Sequence, residues 1–151
     1  MSTIVMADDH PIYLEMMKAL LEYSGEHHVV SMCSNGHAAL AHAYARCPDL
    51  VIADIDMPGV DGIELTRRLR GGGFDQPILI VSAGAMPIAA QRARAAGATG
   101  FVHKRVLLRE LTVAARIVLS GDFYFPAEAT RYGGRPRNVE ARREGEPGAR
   151  P

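Results

Sequence analysis

Tryptophan is absent, cysteine occurs twice, and the formal net charge is zero. Each shortage excludes something. Cys33 and Cys47 have neither metal-ligand spacing nor a disulfide framework around them, so two free thiols fit a reducing, cytoplasmic compartment. Lys+Arg and Asp+Glu both number 17, so no overall charge marks a nucleic-acid or membrane-surface protein. Long apolar runs are also missing. The longest apolar region, Val106–Leu119, is interrupted by Arg109, Glu110 and Arg116, and is too short and too charged to span a bilayer. At the N-terminus, Asp8 and Asp9 arrive before a signal-type apolar segment can form. The expectation is a cytoplasmic protein with no membrane partner.

What is present suits one domain with some length to spare: 151 residues, 48% of them hydrophobic. The charge is unevenly placed. From Arg131 onward there are six Arg against three Glu, leaving 11 basic and 14 acidic residues in the body. The spacing predicts strands at Thr3–Ala7, His28–Cys33, Leu50–Asp54, Pro77–Val81 and Gly100–His103. Between and after them it predicts helices from Pro11 to Gly25, from Asn35 to Arg46, over Asp61–Arg70, over Met86–Ala96 and over Leu107–Leu119. Five alternations of strand and helix argue for a parallel sheet covered on both faces, an α/β three-layer sandwich with right-handed crossovers. Residues 1–121 form this body. Residues 122–151 read as an extension expected to be disordered, since the pattern dissolves past Pro126 and Arg131–Pro151 is rich in Arg, Gly, Pro and Glu.

The stretch Val51–Gly62 carries the chemistry. It begins as a buried apolar strand, ends abruptly in Asp54 and Asp56, and then turns at Pro58-Gly59. Open α/β sheets bind ligands at the C-terminal ends of their strands. Strand one ends in Asp8-Asp9, strand three in Asp54, strand four in Ser82 and strand five in Lys104. Each alone has a bland reading: a helix cap, a loop serine, a solvated lysine. Together they bring carboxylates, a hydroxyl and an ammonium to one edge. Clustered carboxylates repel unless a cation joins them. Mg²⁺, for which Mn²⁺ could substitute, is satisfied by one or two carboxylates, waters and a phosphate oxygen. Asp9 and Asp54 are the expected direct ligands, Asp8 acts through water, and Asp56 offers its backbone carbonyl. Asp54 is then a nucleophile that accepts a phosphoryl group, while Lys104 pairs with one phosphoryl oxygen and Ser82 hydrogen-bonds another. His10, His27, His28, His37 and His42 are read as surface or capping residues.

These marks resemble a response-regulator receiver domain of two-component signalling: Asp8-Asp9, Asp54 in a D-x-D-M-P-G-x-D-G stretch, Ser82, the aromatic Phe101 and Lys104. The resemblance covers residues 3 to about 120. It implies a flavodoxin-like (βα)5 fold with strand order 2-1-3-4-5. It also implies a sensor histidine kinase or phosphotransfer protein as donor, and coupling of Ser82 to Phe101. The DDHP start, MPGVDGIE and SGDFYFP look most like the receiver halves of NarL/LuxR-type transcription regulators. Arg105 departs from the family, which usually has proline after the lysine. No helix-turn-helix pattern follows, so DNA binding by this chain alone is not expected: the chain reads as a receiver whose output is protein contacts or, alternatively, as the receiver half of a NarL/LuxR-type DNA-binding transcription regulator whose helix-turn-helix is absent. By family analogy, the fourth helix, fifth strand and fifth helix form a candidate homodimer face. Asp54 and Asp56 also fit the D-x-D of haloacid-dehalogenase-type phosphatases, but there the further acids come later in the chain, whereas here they come earlier.

Overall fold

Aliphatic and β-branched runs become strands, and the two most central of these runs are buried at every position. The computed structural model describes residues 1–127. In chain order the elements are β1 (Ser2–Ala7), α1 (Pro11–Glu22), β2 (His27–Cys33), α2 (Gly36–Arg46), β3 (Leu50–Asp54), α3 (Gly62–Gly71), β4 (Ile78–Ser82), α4 (Ile88–Ala96), β5 (Gly100–His103) and α5 (Leu107–Leu119). The strands pair in parallel in the order β2-β1-β3-β4-β5. This is the flavodoxin-like arrangement that the resemblance implied.

Alternate residues of each strand serve opposite faces. Val5, Ala7, Val51, Ala53, Ile78 and Ile80 share a core cluster with residues of α2, α3 and α4. Ile4, Met6, Ile52, Leu79 and Val81 share the other with α1 and α5. On the first face, α2 and α4 present alanines to the sheet: Ala39, Ala43, Ala89, Ala90, Ala93 and Ala96. Small side chains let helices lie close to a sheet.

Local chemistry sets the boundaries. The Asn35 side chain accepts from the Ala38 N–H at 2.8 Å and starts α2, and Asp61 does the same for α3 through Glu64. Helix α4 starts at Ile88, two residues later than its spacing suggests, because the residue before Pro87 is disfavoured from helical backbone. Gly97, at φ +106°, closes it.

Two expectations are corrected. The extension does not leave the body at residue 121. Tyr124 bridges to Gly100: the Phe101 N–H donates to the Tyr124 carbonyl at 2.8 Å, and the Tyr124 N–H donates to the Thr99 carbonyl at 3.1 Å. The Tyr124 hydroxyl donates to Glu110 Oε2 at 2.8 Å. The reason is that β5 is an edge strand whose outer backbone groups need partners. The rest of the extension, 128–151, lies outside the described residues. His27 is not a surface residue. Only 5% of it is exposed, and burial outweighs nearby Glu26 to lower its pKa, so it sits neutral at the start of β2. Among the described residues no helix is long and apolar enough to cross a membrane.

Candidate functional site

Parallel pairing brings four strand ends to one edge. Asp54 lies opposite Val81, and Ser82 lies opposite His103. Asp8 follows β1 directly and Lys104 follows β5. The loop after β3 is held tightly. The N–H of Gly62 donates to the Ile55 carbonyl at 3.0 Å, and a Cβ at Gly62 would collide with the Asp54 carbonyl, so glycine is required where α3 meets the end of β3.

At the centre of the edge, Lys104 Nζ is 2.8 Å from Asp8 Oδ2 and 3.3 Å from Asp54 Oδ2. All three residues are buried: Asp8 is 0% exposed, Asp54 1% and Lys104 9%. The ammonium also lies 4.0 Å from the centre of the Tyr13 ring, a cation–π contact. Asp9 sits at the more exposed rim. His10 Nδ1 is 3.0 Å from Asp9 Oδ1 and 3.1 Å from Asp8 Oδ1, and the His10 N–H donates to Asp8 Oδ1 at 2.9 Å. Ligand atoms from Asp8, Asp9, His10 and Asp54 all fall within 4.8 Å of one another.

The electrostatics follow from this crowding. Burial, with the Asp8 charge added, pushes the Asp54 carboxyl up to about 6, although Lys104 and the Asp56 N–H pull the other way. Burial pulls the Lys104 pKa down, but the two carboxylates outweigh it and the net shift is upward. One ammonium is shared by Asp8 Oδ2 and Asp54 Oδ2, so two buried carboxylates face a single positive charge. Clustered carboxylates that outnumber their cation fit a hard, oxygen-seeking divalent cation.

The structure therefore brings Asp8, Asp9, Asp54 and Lys104 together, and the reading of Lys104 as a solvated charge does not hold. Ser82 is buried at the same edge, its Oγ accepting from the Gly84 N–H at 2.9 Å. Asp56 is exposed in the loop after β3. Phe101 is fully buried and belongs to the core cluster that contains Ile80 and Ala89. Sequence reasoning passed over three residues. Tyr13 lies under Lys104, and its signal was an aromatic in the first turn after the Asp pair. His10 follows that pair directly and was read as a cap. His103 immediately precedes Lys104; its Nε2 lies 3.0 Å from the Gly84 carbonyl, and its Nδ1 accepts from the Arg105 N–H at 3.0 Å.

A stability test follows from the Asp54 pKa, which is raised from 3.8 to about 6. Between those values the folded protein holds a proton that the unfolded chain releases, so stability is lost as pH rises through this window and stays lost above it. Asp54→Asn carries no such charge. In denaturant titrations without divalent cations at pH 7.5 it is expected to be more stable than wild type, by on the order of 2 kcal/mol, and the gain should vanish near pH 4. Equal stability at both pH values would contradict the burial of a charge at Asp54.

Known proteins share this fold and sequence. Residues 4–116 match the family model described as the response regulator receiver domain. A protein of Pseudomonas aeruginosa is 39% identical over 131 residues, covering 87% of this chain and 63% of that one. The DNA-binding transcriptional activator EvgA of Escherichia coli is 31% identical over 130 residues, covering 86% of this chain and 63% of EvgA. The chain thus spans about three fifths of the length of these curated relatives. The crystal structure of a LuxR-family two-component response regulator from Aurantimonas superposes with a TM-score of 0.80 at 30% identity, covering 93% of this chain and 97% of that one. Five parallel strands with this order, a carboxylate edge and a match across most of the body place the chain in the response regulator receiver family.

Proposed function

We propose that Asp54 is the residue that accepts the phosphoryl group, and that a divalent cation, Mg²⁺ in the cell, sits at Asp8, Asp9 and Asp54. The observation that carries this reading is the buried Asp8–Lys104–Asp54 group, in which one ammonium is shared by two carboxylates at the edge of the sheet. Receiver domains take their phosphoryl group from histidine kinases, so the donor is a phosphohistidine. An Asp54 oxygen forms the new P–O bond as the donor P–N bond breaks, and the imidazole leaves. When bound, Mg²⁺ neutralises the clustered carboxylates and the incoming phosphoryl oxygens. Asp9 and Asp54 hold it directly, with the Asp56 carbonyl beside them. Asp8 is already engaged by Lys104, which favours its contact through water. Lys104 then moves its charge onto a phosphoryl oxygen, and Ser82 donates to another. Chemically this is one covalent event per chain rather than turnover, which separates it from a haloacid-dehalogenase-type phosphatase.

Incubated with acetyl phosphate and Mg²⁺, the wild type is expected to take up one phosphoryl group, seen as a single mass increment, and Asp54→Asn none. Labelling of Asp54→Asn would move the nucleophile elsewhere, and continuing release of phosphate over many cycles would favour the phosphatase. Lys104→Ala is expected to take up label at a reduced rate but to lose the phosphorylation-induced change in amide spectra. A change equal to that of wild type would remove Lys104 from the switch.

The output surface is the face formed by α4, β5 and α5. From Ile88 to Arg109 the sequence has no acidic residue, and Arg92 and Arg105 are exposed, as are Ile88 and Leu108, whereas Arg109 pairs with Glu110 of α5 at 3.9 Å. Two copies meeting through this face would oppose like charges, so it suits an acidic protein partner better than a homodimer. In the relatives, whose chains are longer, a receiver of this kind accompanies transcriptional control, and a transcriptional output is the reading extended to this chain. Beryllofluoride-activated protein is expected to sediment as a monomer at micromolar concentration. A dimer abolished by Arg92→Glu or Arg105→Glu would overturn the charge argument.

A further inference from the structure

Two loops must act together if a hydroxyl after β4 and an ammonium after β5 are to meet the same phosphoryl group. We infer that His103 is a positioning residue that ties these loops into one unit, and that the backbone N–H of Arg105, a group a proline there would lack, is what lets it do so. The inference rests on the phosphoacceptor reading of Asp54.

The contacts form an unbroken line. Ser82 Oγ accepts from the Gly84 N–H at 2.9 Å, His103 Nε2 meets the Gly84 carbonyl at 3.0 Å, and the Arg105 N–H meets His103 Nδ1 at 3.0 Å. Their chemistry fixes the tautomer. An N–H can only donate, so Nδ1 must be the bare nitrogen facing Arg105. A carbonyl can only accept, so Nε2 must carry the proton facing Gly84. A neutral imidazole is thus matched at both ends. Proline at 105 would have no N–H and would leave Nδ1 without its donor.

The backbone supports the same assignment. Ser82 and His103 are paired across β4 and β5, so the strap joins the two strands where their regular pairing ends. Gly84 is gripped on both sides, its N–H by Ser82 and its carbonyl by His103. Lys104 follows His103 directly and opens the 3-10 turn Lys104–Val106, which the His103 side chain caps. A displacement of the Ser82 loop is therefore transmitted through one ring to the turn that bears Lys104. In the phosphorylated state both side chains are called on at once, and a shared strap removes the need to order the two loops separately.

The test uses the full chain and beryllofluoride with Mg²⁺, read by ¹⁹F NMR, since the absence of tryptophan removes the usual fluorescence probe. His103→Val, which suits a strand but bridges nothing, is expected to bind beryllofluoride about tenfold more weakly than wild type, the scale set by losing two neutral hydrogen bonds. His103→Gln keeps an amide N–H within reach of the Gly84 carbonyl and is expected to recover most of that loss. Arg105→Pro is expected to fall between wild type and His103→Val. Mg²⁺ affinity measured alone stays within about twofold in every variant, since none of these groups belongs to the carboxylate cluster. Binding by His103→Val within twofold of wild type overturns the inference. So does a glutamine variant no better than valine, or an equal loss of Mg²⁺ affinity, which would indicate general disruption. A wild type that fails to bind beryllofluoride at all overturns the phosphoacceptor reading and this inference with it, whereas a binding wild type with an unaffected His103→Val overturns this inference alone.

Discussion

Two carboxylates, Asp8 and Asp54, are taken out of water close together, and an ammonium between them makes that tolerable. Removing ions from water costs several kcal/mol each, and mutual attraction offsets this only when the geometry is good. Here it is good at Asp8, at 2.8 Å, and looser at Asp54, at 3.3 Å. One cation shared by two anions leaves the group a net charge of minus one, and Asp54 bears the consequence as a carboxyl lifted to about 6. The arrangement is therefore poor as a stabilising device. It makes sense as a site that holds a further cation and then exchanges partners.

The architecture exists to hold that arrangement. In a parallel sheet all C-terminal strand ends fall on one side, so residues nearly a hundred positions apart, Asp8 and Lys104, become neighbours. Full burial of β3 and β4 fixes the central strands from both faces. Burial of Asp54 is then not a local choice but a result of ending a two-sided core strand in a carboxylate. Gly62 matters for the same reason: α3 can approach the end of β3 only because no Cβ stands in the way. Such elements carry little chemistry but decide where the charged groups stand.

How much of this was legible in the sequence depended on whether a signal was local. Strand ends were legible, because an apolar run that stops at Asp54 or Lys104 announces both the strand and its terminus. The start of α2 was legible from the side chain of Asn35, whereas Asp61, expected inside its helix, turns out to cap it. The segment 122–125 was misread because its order depends on the open edge of β5 rather than on any periodicity of its own. His27 was misread because a histidine opening a strand looks polar until the neighbouring elements cover it. Tyr13 and His103 act through partners far along the chain, Lys104 for one and Gly84 for the other. No spacing rule within α1 or β5 marks them.

The proposed switch also shows what a backbone N–H at residue 105 supplies. With proline after the lysine, the backbone at that point is held by the ring and has no N–H to give. With Arg105 the restraint passes to a hydrogen bond, and the acceptor is the ring of His103, whose far nitrogen holds the loop of Ser82. A proline would hold only its own turn, whereas this bond links two loops. Each bond is individually modest, about 1 kcal/mol net, so the link is strong enough to align the loops and weak enough to yield when a phosphoryl group adds charge. A receiver whose states differ by a few kcal/mol requires restraints on that scale. Stiffer ones would lock a single state, and none at all would leave Ser82 and Lys104 to be ordered one at a time.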